Sequence, residues 1–477
     1  MPETTSVLRV GLLAPVPDLD PRGGRDFVGA TILAQLYETP FDPPETPDGR
    51  SRPVLFAEPL ASENGGCVLS APVRPGRRFS DGTPLTAELL AEALGRADRL
   101  ADQAAIEARD GRVVFRLARP APSFDLTLTY RYCEVALETG GGVVGTGPFR
   151  LAPDSTPERM RLVRNPEYPG RAGIDEVRFV TYRPDADGQP SALLRAIDAG
   201  EVDFTNALSR EHIGGLKGVR KWLEPGSATA ILYFNTERPA LAEVSVRRAL
   251  ALAIDRTEAA RISYHNPLAF TATGLLPPML GSWRDGIAPD LKRAAALLAA
   301  AGEARPRRLT MLVIYGPRPY LPQPRPVAEH LAARLAALGI EVEIRQAQSI
   351  ESYFREAARG DYDLALSGWV PDTPDPADFL ETILSPASIP TSDHPILMDG
   401  NLARWRSPAA AAALERFRRE PNEPNKAAVL ELVTREMPVL PLMYGPTIYV
   451  YSPRVQGFKP SPLGIPRFAE LSLVESM

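Results

Sequence analysis

The sequence lacks the short motifs by which several enzyme classes are recognised. It has no glycine-rich segment that ends in Gly-Lys-Ser or Gly-Lys-Thr, which excludes a P-loop, and no Gly-x-Ser-x-Gly elbow. It also offers no arrangement of cysteine and histidine that supports nucleophilic catalysis. We therefore expect a protein that is not an enzyme.

Cysteine and histidine are both scarce. Cys67 and Cys133 could pair with each other or remain separate thiols, but two cysteines do not make a disulfide scaffold. No metal-ligand spacing relates the four histidines, which are isolated from one another: His212, His265, His330 and His394. We expect neither a metal ion nor another cofactor.

Long basic runs and long apolar runs are absent as well. The formal net charge is −5 and the arginines are scattered, which argues against a nucleic-acid partner. No apolar stretch approaches the length of a membrane span, and the start of the chain has neither a signal-peptide pattern nor a lipid-anchor cysteine. We expect a cytoplasmic protein if the sequence is native as given, and a periplasmic or extracellular one if an export signal has been removed.

What is present is typical of a folded protein with more than one domain. A chain of 477 residues usually divides into two or three domains, and 44% hydrophobic residues suffice for a sizeable core. The 50 prolines are about twice the usual share, and proline is excluded from helix interiors and central strands. Many loops should therefore be rigid.

Strand and helix patterns alternate along the chain. In the second half, apolar strand patterns at 309–315, 340–344 and 364–367 are separated by helical patterns at 327–338 and 352–359. This order predicts a largely parallel sheet with helices on its faces. Strand and helix patterns in the first half predict mixed α/β packing there too.

One glycine-rich segment has the spacing of a dinucleotide-binding loop. Residues 140–145 match Gly-x-Gly-x-x-Gly, but such a site needs the motif between a strand and a helix. The residues that follow, Thr146 to Leu151, indicate a turn into a strand. We therefore interpret the segment as a loop or turn.

Two charged residues follow predicted parallel strands. Arg318 lies between two prolines after the strand at 309–315, and Asp372 follows the strand at 364–367. Loops at the carboxyl ends of such strands line ligand crevices, where a guanidinium can hold a carboxylate and a carboxylate can hold an ammonium. A surface arginine and a turn aspartate are the alternative. We assign the nearby Asp375 and Asp378 to turn and capping roles.

Short segments of the chain resemble the family 5 solute-binding proteins of ABC importers, the type that binds peptides, dipeptides or nickel. The matching segments follow the family's order: FSDGTPLTAE (79–88), GTGPF (145–149), IDEV (174–177), FNT (234–236), VRRAL (246–250), AIDR (253–256), LPP (276–278), GWVPDTPDP (368–376) and VQGF (455–458). The chain departs from the family in Glu88-Leu89-Leu90, where Glu-Asp-Val is usual, and in a shortened stretch at 95–145.

The resemblance implies an α/β, two-lobed periplasmic-binding-protein-like fold (type II, cluster C) with a hinge and an inserted subdomain. The implied divisions are lobe I at 1–38, 171–268 and 441–477, the inserted subdomain at 39–170, and lobe II at 269–440. A ligand is held between the lobes as they close.

The resemblance also implies a function and a set of ligand-binding residues. In dipeptide-binding members an Asp at the position of Asp372 holds the peptide ammonium, and an Arg at the position of Arg318 holds the carboxylate. Tyr320 completes the Arg-Pro-Tyr stretch, and Trp369 either lines the cleft or has a purely structural role. The expected protein is a monomer that captures a short peptide or similar zwitterion for an ABC transporter permease. A cytosolic sensor or carrier, and a biosynthetic enzyme on the same scaffold, are the alternatives.

Overall fold

The computed structural model describes residues 5–15, 19–21, 27–45, 50–101, 103–140, 142–170, 173–187, 189–264, 270–281, 283–371, 374–391, 400–460 and 464–474. In chain order the strands are β1 Val7–Leu12, β2 Phe41–Asp42, β3 Arg52–Pro53, β4 Ala61–Glu63, β5 Val68–Pro72, β6 Ala104–Arg109, β7 Arg112–Leu117, β8 Ala136–Thr139, β9 Gly142–Gly145, β10 Phe149–Leu151, β11 Arg159–Arg164, β12 Glu176–Thr181, β13 Phe204–Thr205, β14 Arg220–Phe234, β15 Arg308–Val313, β16 Glu341–Gln346, β17 Leu364–Trp369, β18 Val439–Tyr451, β19 Val455–Gln456 and β20 Ser472–Leu473. The α-helices are α1 Phe27–Leu36, α2 Ala87–Gly95, α3 Asp98–Ala101, α4 Phe124–Thr127, α5 Ser191–Asp198, α6 Arg210–Ile213, α7 Pro239–Ala242, α8 Val244–Ala253, α9 Arg256–Tyr264, α10 Leu291–Ala300, α11 Pro324–Ala336, α12 Ile350–Arg359, α13 Pro376–Leu384, α14 Pro408–Arg419 and α15 Glu423–Glu436.

The chain forms two compact units. The first contains residues 1–224 and 447–477, and the second contains residues 225–446. The chain passes between them on β14, at Glu224–Pro225, and on β18, at Pro446–Thr447. Residues 225–268, which we expected in lobe I, pack in the second unit because the second half of β14 pairs with β17. The predicted lobe and subdomain limits therefore differ from these units.

The sheet of the first unit combines parallel and antiparallel pairs, in the order β10-β11-β12-β1-β13-β18. β1 is parallel to β12 and to β13, whereas β11 and β12 are antiparallel. Asp203, next to β13, is fully buried and accepts hydrogen bonds from the Arg9 guanidinium at 2.7 and 2.8 Å and from Arg454 at 3.1 Å. This paired charge joins β1 to β13 and to the C-terminal segment.

A second core in the same unit is built on the antiparallel sheet β4-β5-β7-β6. Aromatic side chains fill it, among them Phe56, Phe79 and Phe115, all fully buried. Helix α2 packs on this sheet and begins at Thr86, whose side chain accepts a hydrogen bond from the Leu89 amide at 3.3 Å. Thr86 is therefore the N-cap of α2, which buries Leu90, Ala91 and Leu94 on one side.

Several of the motif glycines serve close packing in the first unit. Residues 142–145 form β9, which pairs with β8 in an antiparallel hairpin, so this part of the segment that we interpreted as a loop or turn is a strand. The next element is the strand β10 and not a helix, which agrees with the predicted turn into a strand. Gly147 donates to the Leu36 carbonyl at 2.9 Å, and a Cβ at this position would lie 2.7 Å from the Gln35 carbonyl oxygen. The Gly-Thr-Gly-Pro-Phe motif therefore holds the end of α1.

The second unit contains the predicted parallel arrangement. The strand order is β18-β14-β17-β15-β16, with β15 parallel to both β16 and β17 and β14 antiparallel to β17. Every residue of β17 is buried, which is typical of a strand covered on both faces. Helices α11 and α12 connect the parallel strands, and α12 begins with a Ser349–Ser352 capping box and ends at Gly360 in the left-handed region (φ 69°). The predicted β-α-β-α-β order is confirmed.

Two of the motifs in the second unit contribute buried polar side chains that hydrogen-bond to the backbone. The Arg247 side chain is 3% exposed and donates to the carbonyls of Leu241, Ala242 and Met437 at 2.7, 2.8 and 3.1 Å. Asn235 is fully buried and donates to the Tyr362 carbonyl at 2.8 Å. These residues satisfy backbone groups at the ends of helices and strands, which explains their place in the motifs.

Cys67 and Cys133 do not form a disulfide with each other. Among the helices that the structure describes, none combines the length and apolar character needed to cross a bilayer.

Candidate functional site

The candidate site lies in the second unit, where two parallel strands end. β15 and β17 are parallel, hydrogen-bonded neighbours, and their paired residues begin with Met311 opposite Leu364. Their carboxyl ends therefore meet at the same edge of the sheet, the usual position of ligands in open α/β sheets. The turn that contains Arg318 follows β15, and the Gly-Trp segment ends β17.

The Arg318 turn is held by backbone hydrogen bonds and by a buried tyrosine. Arg318 and Leu321 exchange backbone hydrogen bonds at 3.1 and 2.9 Å. The Tyr264 hydroxyl donates to the Pro319 carbonyl at 2.8 Å, and burial raises the pKa of Tyr264 well above its ordinary value. Tyr264 thus remains a neutral donor and fixes the turn that carries Arg318.

Tyr320 connects this turn to β17. Its side chain is 4% exposed, and its hydroxyl lies 3.4 Å from Ser367 Oγ. A Cβ on Gly368 would lie 2.6 Å from the Tyr320 ring, and one on Gly445 would lie 2.8 Å from the Pro319 carbonyl oxygen. The turn can reach this position because glycine stands at both contacts.

Trp369, the last residue of β17, is buried at 6% exposure. Its Nε1 has no hydrogen-bond partner among the residues that the structure describes, and the same holds for Oγ1 of Thr229, its cross-strand partner. Buried polar atoms normally have a partner. Two spare hydrogen-bonding groups therefore lie on adjacent strands near the Arg318 turn.

The Arg318 side chain is half-buried. Within the described part of the chain its guanidinium makes no hydrogen bond and no ion pair, so its five donors remain available. Asp372, the second predicted charge, lies outside the described residues. The structure thus brings together the Arg318 turn, Tyr320 and the end of β17 with Trp369.

The other two aspartates of the segment occupy the start of α13. Asp375 is its N-cap and accepts a hydrogen bond from the Ala377 amide at 2.8 Å, while Asp378 lies in the first turn. Carboxylates are favourable at both positions because of the exposed amides and the helix dipole. The capping role predicted for Asp375 is confirmed.

No motif or resemblance in the sequence pointed to Ser367, Tyr264 or Thr229 as site residues. Ser367 and Thr229 are fully buried polar residues within apolar strands, a signal that could have drawn attention to them. Tyr264 gave no local signal, because its contact with Pro319 joins residues 55 positions apart. In the described part of the chain, no cluster of three or more His, Cys, Asp or Glu side chains could hold a metal ion.

Comparison with known proteins identifies the family and the fold. Residues 53–390 match the bacterial extracellular solute-binding proteins, family 5. Di/tripeptide-binding protein 2 of Pseudomonas aeruginosa is 28% identical over 375 residues, covering 75% of this chain and 68% of that protein. The probable ABC transporter periplasmic-binding protein SapA of Escherichia coli is 29% identical over 388 residues, covering 75% and 67%.

Among solved structures, HbpA2 from Haemophilus parasuis superposes with a TM-score of 0.84 at 22% identity, covering 99% of this chain and all of that one. This likeness confirms the expected two-lobed periplasmic-binding-protein fold class. With more than half of its residues matched to one family, the chain belongs to the family 5 bacterial extracellular solute-binding proteins.

Proposed function

We propose that this protein captures a short peptide or a similar zwitterionic small molecule and delivers it to an ABC transporter permease for import. Two relatives support the proposal by name, since one is a di/tripeptide-binding protein and the other a probable ABC transporter periplasmic-binding protein. The matched family is a solute-binding type. In this proposal the protein acts without catalysis, outside the cytoplasm and as a monomer.

The main support for the proposal is that the Arg318 guanidinium can bind a ligand. Its guanidinium is half-buried and makes no internal bond within the described residues, although the turn beneath it is fixed by Tyr264 and Tyr320. A rigidly placed guanidinium can bind a carboxylate through two parallel hydrogen bonds. Arg318 binds the peptide carboxylate in this proposal, and Tyr320 and Trp369 flank it.

Asp372 binds the peptide ammonium. This assignment rests on the sequence, because Asp372 follows the Gly-Trp segment in the family pattern. The protein binds the peptide mainly through hydrogen bonds to the peptide main chain, so it discriminates little between peptides with different side chains. The ligand drives a hinge closure because it binds the closed state more tightly than the open one.

Calorimetric titration with a di- and tripeptide panel tests these roles separately. Arg318→Gln should weaken binding at least about tenfold, since a hydrogen bond to a charged group contributes about 1.5–3 kcal/mol. C-terminal amidation of the peptide should cost the parent protein a similar factor but have little further effect in Arg318→Gln. N-acetylation of the peptide should likewise weaken binding to the parent protein and have little further effect in Asp372→Ala.

Arg293→Gln provides the matched control, because Arg293 is an exposed arginine on α10 of the same unit. Unchanged peptide affinity in Arg318→Gln would remove the carboxylate assignment. Unchanged affinity in Asp372→Ala would remove the ammonium assignment. Absence of binding to every peptide by the parent protein would overturn the proposed function.

A further inference from the structure

A cavity of about 490 Å³ lies within the first unit, between two of its hydrophobic cores. The end of α1, the β2–β3 hairpin and the segments around Arg74, Arg131 and Arg467 line it. All of these residues belong to the first unit, whereas Arg318 belongs to the second.

Arg77 is the most deeply buried charge in the cavity wall. Its side chain is 6% exposed, forms an ion pair with Glu38 and lies over the Tyr168 ring, with Cζ 5.5 Å from the ring centroid. Its Nε nevertheless has no hydrogen-bond partner among the described residues. Burial lowers the pKa of Arg77 below its ordinary value.

Arg74 adds a second positive charge to the same wall. Its Nε donates to the Val54 carbonyl at 2.8 Å and its Nη2 to the Pro53 carbonyl at 3.1 Å. No carboxylate in the described part of the chain forms an ion pair with it. Carbonyl oxygens satisfy donors but do not neutralise the charge, so Arg74 can still accept an anionic partner.

The remaining charges do not cancel this excess. Asp42 is shared between Arg52 and Arg467. The lining as a whole contains five arginines and four carboxylates, which leaves one positive charge in excess. Such an imbalance around a partly enclosed space favours a ligand that carries a negative charge.

The size and the apolar parts of the wall restrict the ligand further. Tyr37, Tyr168, Val54 and Ile465 line the cavity together with the arginines. Pockets for small organic molecules have volumes of roughly 300–1,000 Å³ and combine apolar walls with a few polar anchors. The cavity is therefore much larger than an inorganic anion requires.

We propose that this cavity binds a small organic anion, whose carboxylate or phosphate group contacts Arg74 and Arg77 and whose apolar body packs against Tyr168 and Ile465. The inference does not depend on peptide capture, because it uses only residues of the first unit. Both anionic groups suit guanidinium donors, so the choice between them is an outcome of the test.

The test uses the full chain and three matched probes: benzoate, phenyl phosphate and the neutral benzamide. Calorimetric titration should detect saturable binding of one copy of benzoate or of phenyl phosphate, and binding of benzamide at least about tenfold weaker. Saturation by only one of the two anions identifies the group that the cavity prefers.

Arg74→Gln should weaken anion binding at least about tenfold, since it removes the charge but keeps donors for the two carbonyls. Arg77→Lys gives a second variant, which retains the pairing with Glu38 and loses the Nε donor. Arg109→Gln is the control, because Arg109 is 71% exposed and lies outside the cavity. Peptide affinity should be unchanged in all three variants.

Two results would overturn the proposal. One is the absence of saturable binding of both anions to the parent protein at millimolar concentration. The other is anion binding by Arg74→Gln and Arg77→Lys that is as strong as anion binding by the parent protein. Loss of peptide binding in Arg318→Gln with intact anion binding would separate the two sites.

Discussion

The candidate site of the second unit and the charged regions of the first unit are stabilised by different kinds of contact. Around Arg318 the contacts are neutral: Tyr264 to a carbonyl, Tyr320 to Ser367, and the close approach of Tyr320 to Gly368. In the first unit, Asp203 lies between Arg9 and Arg454, and Glu176 lies between Arg161 and Arg178.

The difference indicates what each region should be sensitive to. Neutral close packing depends on side-chain volume and changes little with pH. Carboxylates between arginines depend on remaining ionised, and an arginine that loses its carboxylate is left as a poorly compensated charge. Volume changes should therefore disturb the candidate site of the second unit, whereas charge changes and acid should disturb the first unit.

The largest expected effect is on the paired charges of the first unit. Asp203→Ala leaves Arg9 and Arg454 without their shared carboxylate and should lower the free energy of unfolding by about 3–5 kcal/mol. Chemical denaturation monitored by circular dichroism measures this loss. A loss below 1 kcal/mol would mean that this buried carboxylate does not join β1 to β13.

An increase in side-chain volume at Gly368 should disrupt the packing of the candidate site of the second unit. In Gly368→Ala the new methyl group would lie 2.3 Å from the Thr229 carbonyl oxygen and 2.6 Å from the Tyr320 ring, and we expect a loss of about 1–3 kcal/mol in stability together with weaker peptide binding. Gly214→Ala is the control, since a Cβ there meets no atom within 4 Å and its φ of −59° suits alanine. Equal peptide affinity in the two variants would contradict the proposed position of Tyr320.

Acid should lower the stability of the charged regions of the first unit. Hydrogen bonds from Arg161, and then from Arg178, lower the pKa of Glu176 from 4.5 to about 2, against the opposing effect of burial. Because the folded-state pKa is the lower one, the stabilisation is present above pH 4.5 and is lost as the pH falls towards 2. Glu176→Gln should flatten the dependence of stability on pH in this interval.

Thermal denaturation between pH 2 and 6 measures this effect. The parent protein and Glu176→Gln should converge at the acid end of the range. Parallel pH curves for the two proteins would show that Glu176 does not contribute to acid sensitivity.

The smallest effect is expected at an exposed charge. Arg109 is 71% exposed and lies 3.6 Å from Asp110, so Arg109→Gln should change the free energy of unfolding by less than about 0.5 kcal/mol. The same denaturation experiment measures it. A larger change would mean that surface charge, and not buried pairing, underlies the sensitivity of the first unit.

Many elements could be predicted because their signals are local. The helix that begins after Thr86 and the strands around α11 and α12 follow from caps, apolar periodicity and turn residues. The limits of β14 could not be predicted. Pro225 and Gly226 interrupt its strand pattern, whereas β14 runs from Arg220 to Phe234.

That difference also explains the boundary between the units. The pairing of Thr229 with Trp369 extends β14 beyond its local pattern and draws residues 225–268 into the second unit. Sequence patterns describe neighbours within a few positions, whereas this pairing joins strands far apart in the chain.

The sequence by itself determined the family, the order of strands and helices in the second unit, and the position of Arg318 in a turn after a parallel strand. Only the tertiary structure decided that Tyr320 contacts Gly368 and that Arg74 and Arg77 line one cavity. The physical reason is range. Propensity, capping and periodicity act over one or two turns, whereas the Arg9–Asp203 pair joins residues 194 positions apart and exists only once the cores have formed.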